Sequence, residues 1–233
     1  DLTSYGEDLP GKPKLGNIIK RLFMLHPNLK RLRLSSIDPA EIDEELFDLF
    51  GFEKRLMPHL HLSLQSGDNL ILKRMKRRHS RETVMKICKS LKSIRKDITF
   101  GADLIVGFPT EGEKEFLNSI DLLKICKFSN MHIFPFSPKE GTPAARMPQV
   151  KKSIINERRV YARKFFEKIL YKQMEDKIGV MQNFLFESEN LSYTDDYFKV
   201  KIVKKDNAIF LRSGSLISAR ILGVDKDKFE VAI

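Results

Sequence analysis

Apolar positions along this chain change period several times, and each change marks an element. After the breakers Pro10-Gly11 and Pro13, Leu15, Ile18, Ile19, Leu22 and Leu25 recur at helical spacing, which predicts a helix ending before Pro27. Residues 31–36 alternate with period two and read as a strand. Asp38 ahead of Pro39 predicts the N-cap of a helix carrying Ile42, Leu46 and Leu49. Alternation returns over 59–64 and ends in Gln65-Ser66-Gly67-Asp68, a glycine turn into helices over 69–75 and 81–94, the second capped by Ser80. Residues 98–106 form a near-continuous apolar run bounded by Gly107 and Pro109. That pattern predicts a strand buried on both faces, as in a parallel sheet covered by helices. A helix from about Glu113 with Phe116, Ile120, Leu123 and Ile125, then a strand over 131–136, complete this part.

Strand and helix alternate without interruption, so the expected fold class is α/β: βα units in a parallel sheet with right-handed crossovers. Four strands are too few to close a barrel. Beyond Lys151 the pattern changes to one long charged helix over 153–177. Short β-like runs follow at 180–186, 198–204, 208–212, 215–222 and 229–233, the signature of a small all-β barrel or sandwich. The expected domains are 1–173 and 174–233.

Charge sharpens this picture. In 233 residues, Lys plus Arg exceed Asp plus Glu by 42 − 31 = 11, a balance suited to a polyanionic partner such as nucleic acid. Six of the nine residues over 73–81 are basic, and they directly follow the Gln65 turn. The two cysteines, Cys88 and Cys126, sit in helix-like apolar surroundings and read as buried small hydrophobes of a reducing compartment. No apolar run reaches the roughly 18 residues of a membrane span, so no membrane partner is expected and the location reads as cytoplasmic. Asp1 opens the chain in a polar, turn-like stretch without a methionine, which reads as an internal piece of a longer protein.

Functional loops of a parallel α/β sheet follow the carboxyl ends of its strands. Three such ends carry small or polar residues here: Gln65-Ser66-Gly67, the Gly107 to Glu111 turn, and Phe136 to Pro143. Asp103, inside the apolar run, must be hydrogen-bonded, because a buried unpaired carboxylate is costly. His59, His61, His79 and His132 are scattered by strand parity without a Cys or carboxylate at metal-ligand spacing, and read as core or rim histidines. No Gly-x-Ser-x-Gly elbow supports a hydrolase.

Three motifs in order, His61-Leu-Ser-Leu-Gln65-Ser66-Gly67 with Leu72-Lys-Arg-Met75-x-Arg77-Arg78, Gly101-Ala-Asp-Leu-Ile-Val-Gly-Phe-Pro-Thr-Glu111, and Phe134-x-Phe-Ser137-x-x-x-Gly141-Thr142-Pro143-Ala144, closely resemble the radical S-adenosylmethionine methylthiotransferases that modify tRNA. The opening Asp1-x-x-x-Tyr5-Gly6, with Leu9 and Gly11, leans towards the branch acting on threonylcarbamoyladenosine. Residues 179–233, with Tyr193-Thr-Asp-Asp-Tyr197-x-x-Val200 and Gly214-x-Leu216, are similar to the TRAM module, a small RNA-holding β-barrel.

The resemblance implies a partial six-stranded barrel, of which this chain supplies about strands three to six. S-adenosylmethionine would be contacted by Gln65, Ser66 and Gly67, by Asp103 and the strand end from Leu104 to Gly107, and by Phe136 and Ser137. Arg74, Arg77, Arg78, Tyr193 and Tyr197 would hold tRNA. The family's 4Fe-4S clusters need a Cys-x-x-x-Cys-x-x-Cys loop that this sequence does not contain, so the chain is expected to depend on a missing N-terminal part and to be inactive alone. Two competing readings are a non-catalytic RNA-binding protein from a split or degraded gene and, less well supported, a (β/α) metabolic enzyme with an appended β domain.

Overall fold

The computed structural model describes residues 2–206 and 210–233. Two compact units divide the chain, Asp1–Phe166 and Glu167–Ile233.

In the first unit, helix α1 (Leu15–Leu25) and helix α2 (Glu44–Phe52) precede a three-stranded parallel sheet in the order β1 (His59–Gln65), β2 (Thr99–Val106), β3 (Asn130–Pro135). Helices α3 (Asn69–Arg74) and α4 (Arg81–Ile94) connect β1 to β2, and α5 (Glu113–Cys126) connects β2 to β3. Helix α6 (Lys152–Glu175) runs through the division between the units.

The two faces of the sheet differ in chemistry. Leu60, Leu62, Leu64, Ala102, Leu104 and Val106 are buried almost completely. Their parity places them on one face, the one the helices must cover, and each leucine there contributes about 2–3 kcal/mol by leaving water. Residues of the opposite parity, His59, His61, Ser63, Gly101, Asp103, Ile105, His132 and Phe134, share the other face. It opens to solvent towards β3, where His132 and Phe134 are exposed. The strand expected to be buried on both faces is therefore fully buried on one side only: Asp103 and Ile105, on the other, are partly exposed.

Two predicted elements form differently. Residues 31–36 make no strand; they hold one isolated parallel bridge, Leu32 to Leu56, and a second, Ile37 to Leu62, follows directly after them. A continuous ladder would need the Met57 carbonyl and the His59 N–H opposite Leu34, but His59 N–H donates to the Met57 carbonyl around Pro58, at 2.8 Å. Asp38 caps only a 3-10 turn, Pro39–Glu41, through the Ala40 N–H. It is Asp43 that caps α2, accepting from the Leu46 N–H at 2.9 Å.

In the second unit five strands close a barrel in the order β4 (Met181–Leu185), β5 (Ser192–Thr194), β6 (Lys199–Lys204), β8 (Lys228–Ala232), β7 (Leu216–Asp225). Phe184, Phe198, Val200, Ile221, Phe229 and Val231 fill it. Strand β5 was not signalled by the sequence, because three residues are too short to show alternation. Of the run predicted over 208–212, residues 210–212 are not strand and the rest lies outside the described residues. No described helix is long and apolar enough to cross a membrane.

Buried His79 ties this framework together: its Nε2–H donates to the Leu64 carbonyl at 3.1 Å, and Nδ1 lies 3.6 Å from Asp38. Burial lowers its pKa from the ordinary 6.5, outweighing the Leu64 bond and the Asp38 carboxylate, which favour protonation. Unfolding thus takes up a proton in the window below about pH 6.5, and stability falls as pH falls there, by at most about 1.4 kcal/mol per pH unit. Thermal unfolding of wild type and His79→Gln between pH 7.5 and 5.5 tests this: the variant's midpoint should decline less steeply with acidification. Parallel declines would exclude His79 as the source.

Candidate functional site

The carboxyl end of β1 is irregular in a way that aims it. Leu62 pairs with Ala102, yet Gln65 pairs with Leu104, so three steps along β1 match two along β2. The extra residue makes a bulge, and Gln65 absorbs it with φ of 66°, the left-handed region that non-glycine residues enter only at a cost of about 1–3 kcal/mol. Ser66 is fully buried, its hydroxyl 3.4 Å from that of Ser119, and Gly67 N–H donates to Ser119 Oγ at 2.9 Å. Asp68 caps α3 through the Leu70 and Ile71 N–H groups and accepts from Asn118 Nδ2 at 2.8 Å. Helix α5 therefore clamps the whole turn, leaving Gln65 partly exposed at the rim.

The carboxyl end of β2 is fixed by α6. Gly107 has φ of 77°, and a Cβ there would meet Ile155 Cγ1 at 2.4 Å, so only glycine admits both the turn and the helix. Its N–H donates to Glu111 Oε1 at 2.9 Å, and Arg158 donates to the same oxygen at 2.8 Å. Burial raises the Glu111 pKa in spite of the Gly107 N–H and the Arg158 guanidinium. Phe136 continues the rim of β3, its N–H on the Val106 carbonyl and its ring edge-on to Phe108. Ser137 is exposed, whereas the Leu104 side chain is buried on the helix-covered face.

Below this rim the partner of Asp103 is scaffold: two histidines. His61 Nε2 lies 3.2 Å and His132 Nδ1 3.1 Å from Asp103 Oδ1. The imidazole rings are 5.1 Å apart, and the three potential ligand atoms lie within 4.8 Å of one another. Burial disfavours the Asp103 charge, but the two imidazoles outweigh it and hold its carboxyl below the usual range. Gly101 makes room for this group, since a Cβ there would stand 2.4 Å from His61 Nδ1. The reading of these histidines as scattered core or rim residues is thus corrected for His61 and His132. They meet Asp103 through strand pairing, and that register is invisible as a local spacing.

The basic run is largely engaged within the protein. Arg74 bonds Thr110, Arg78 bonds Glu41 and lies 3.8 Å from Asp38, and Arg77 lies 3.9 Å from Asp38. Arg81 donates to the Gly67 and Asn118 carbonyls and to Asp121. In the barrel, Tyr193 and Tyr197 are partly exposed and stacked, with ring centroids 4.8 Å apart and planes 15° from parallel.

An iron–sulfur cluster of the kind the sequence motifs imply needs at least three thiolates at one site. The sequence has two cysteines, Cys88 and Cys126, both free thiols buried on α4 and α5. They do not fit such a cluster, and no chemical step is routed through one.

Residues 4–123 match the radical SAM superfamily. Over 226 residues the chain is 45% identical to the threonylcarbamoyladenosine tRNA methylthiotransferase MtaB of Rickettsia prowazekii, a match covering 97% of this chain and 52% of that protein. MtaB of Bacillus subtilis is 32% identical over 94% of this chain and 49% of its own length. The tRNA-2-methylthio-N(6)-dimethylallyladenosine synthase of Rickettsia rickettsii is 41% identical over 62% of this chain and 32% of its length. The chain spans about half the length of the MtaB relatives it matches. Among solved structures, the radical SAM enzyme coproporphyrinogen III oxidase (HemN) from Escherichia coli superposes with a TM-score of 0.51 at 15% identity, over 67% of this chain and 38% of that one. That likeness concerns the fold.

The buried Glu111–Arg158 pair yields a double prediction. Arg158→Met leaves Glu111 buried without its partner and should destabilise the chain by about 3–5 kcal/mol in chemical denaturation. It should raise the Glu111 pKa further, so the loss grows as pH rises above about 4.5. Adding Glu111→Leu should recover most of the stability; a double variant no more stable than Arg158→Met would show that the pair matters through something other than its buried charge.

Proposed function

Because the chain belongs to the radical SAM superfamily, we propose that it is the cofactor-rim and RNA-holding part of a tRNA methylthiotransferase acting on a modified adenosine next to the anticodon. The observation that carries this is the 45% identity over 226 residues to a relative named for that activity, with the three rim motifs inside the matched region. The threonylcarbamoyl branch is favoured over the dimethylallyl branch because the two MtaB matches extend over 97% and 94% of the chain, against 62% and 75% for two dimethylallyladenosine synthases.

In this reading β1–β3 are consecutive strands of a partial (β/α) barrel. S-adenosylmethionine would lie across the rim, with Gln65, the Gly107 backbone, Phe136 and Ser137 facing it. Bound there and given one electron by a reduced iron–sulfur cluster, it would supply the carbon-centred radical chemistry characteristic of the superfamily. Ser66, Gly67 and Leu104 support the rim from behind, because Ser119 and the helix-covered face engage them. Cysteines outside this sequence would hold the clusters, and this chain alone would be inactive.

The five-stranded barrel reads as a TRAM-like RNA module, with the stacked Tyr193 and Tyr197 offering a ring face to a base. A net charge of +11 supports RNA as partner. A non-catalytic RNA-binding protein is the second reading, favoured by the misfit between two buried cysteines and a cluster.

An anticodon stem-loop RNA should bind this chain with an affinity that falls with salt. Tyr193→Ala should weaken it by about 1–3 kcal/mol at every salt concentration, and Arg77→Ala should reduce the slope of log affinity against log salt by about one. Equal affinity of both variants and wild type at low and high salt would refute the RNA assignment of these residues.

A further inference from the structure

The open face of the first unit's sheet carries three metal-ligating side chains, of which the methylthiotransferase reading uses Asp103 alone, as a cofactor contact, and gives His61 and His132 no role. A divalent ion held at about 2.0–2.1 Å by tetrahedral donors sets those donors about 3.3 Å apart. His61 Nε2 and His132 Nδ1 already stand 3.2 and 3.1 Å from Asp103 Oδ1, so two of the three edges of the ligand triangle have the required length. The third, between the imidazole nitrogens, is within 4.8 Å. We propose that His61, Asp103 and His132 form a mononuclear site for a divalent transition metal, independent of any thiolate.

Its donor set of two imidazoles and one carboxylate suits Zn²⁺, Fe²⁺, Co²⁺ or Ni²⁺, whereas Mg²⁺ and Ca²⁺ prefer oxygen ligands. The backbone holds the ligands ready. Asp103 and His132 are directly paired across β2 and β3, and His61 is paired with Gly101, whose missing side chain leaves space for the ring. On metal binding each imidazole offers the lone pair of the nitrogen that now faces Asp103 Oδ1, its proton moving through solvent to the other ring nitrogen. The His132 side chain is 58% exposed, so an ion can enter from solvent and coordination positions beyond the three protein ligands face outwards. Three protein ligands with open positions are the arrangement of ions that bind or activate a further molecule rather than of closed structural sites.

The test uses Co²⁺ as probe, added to the metal-free chain and followed by its visible ligand-field absorption, then displaced by Zn²⁺. One equivalent should bind, with bands displaced stoichiometrically. His132→Ala should retain a cooperative thermal transition in the metal-free chain, with a midpoint lowered by the loss of one Asp103 partner, yet weaken Co²⁺ by more than about tenfold, and Asp103→Asn should do the same to affinity. A Cys88→Ser/Cys126→Ser variant should bind as wild type does. The proposal is overturned by absence of saturable binding, by binding that survives both His132→Ala and Asp103→Asn, or by thiolate-to-cobalt bands that vanish in the cysteine variant. None of these readouts depends on RNA binding or methylthiolation, so this site and the proposed function stand or fall separately.

Discussion

A carboxylate in the middle of a parallel strand has to be satisfied where it stands, and the arrangement of the first unit follows from how Asp103 is satisfied. Its two partners come from the strands on either side, His61 at 3.2 Å and His132 at 3.1 Å. That requires all three strands to present polar residues to one face, and hence leucine, alanine and valine to the other. Gly101 follows from the same demand, since any larger residue would enter the His61 ring. The polar face and the helix-covered face are thus two sides of one register.

What could be read from the sequence was whatever repeats locally. Helices α1, α4 and α5 show a period of 3.6, β1 alternates, and β2 is an apolar run bounded by Gly107 and Pro109; they and β3 lie within a residue or two of where the pattern puts them. Features that depend on a distant partner were not legible. The failed strand over 31–36 alternates as well as β1 does, but Pro58 and the His59 to Met57 bond in its neighbour remove the ladder it needed. The bulge at Gln65 has no glycine to announce it; it is imposed by the clamp from α5.

The candidate site shows the same limit. His61, Asp103 and His132 are 42 and 29 residues apart, and their chemistry becomes visible only when parity and register are both known. The rim was legible in a different way, since glycine and proline mark strand ends. Yet the marked residues divide on inspection: Gln65 and Ser137 face outwards, while Ser66 and the Gly67 N–H are taken up by Ser119. Likewise a run of arginines is an evident basic cluster in sequence, and much of its charge is answered at once by Asp38 and Glu41.

Strand β3 carries a further consequence. Among the described residues it pairs with β2 alone, so its outer edge presents backbone donors and acceptors to any strand that approaches. Six residues is a short template, and Pro135 removes one donor from it. Repulsion between copies at a net charge of +11 is the other guard. Raising ionic strength from 0.01 M to 0.15 M shortens the reach of that repulsion from about 30 Å to about 8 Å and leaves the edge untouched. Colloidal stability of this protein is therefore governed by dissolved ions: salt brings its own sheet edges within range of one another.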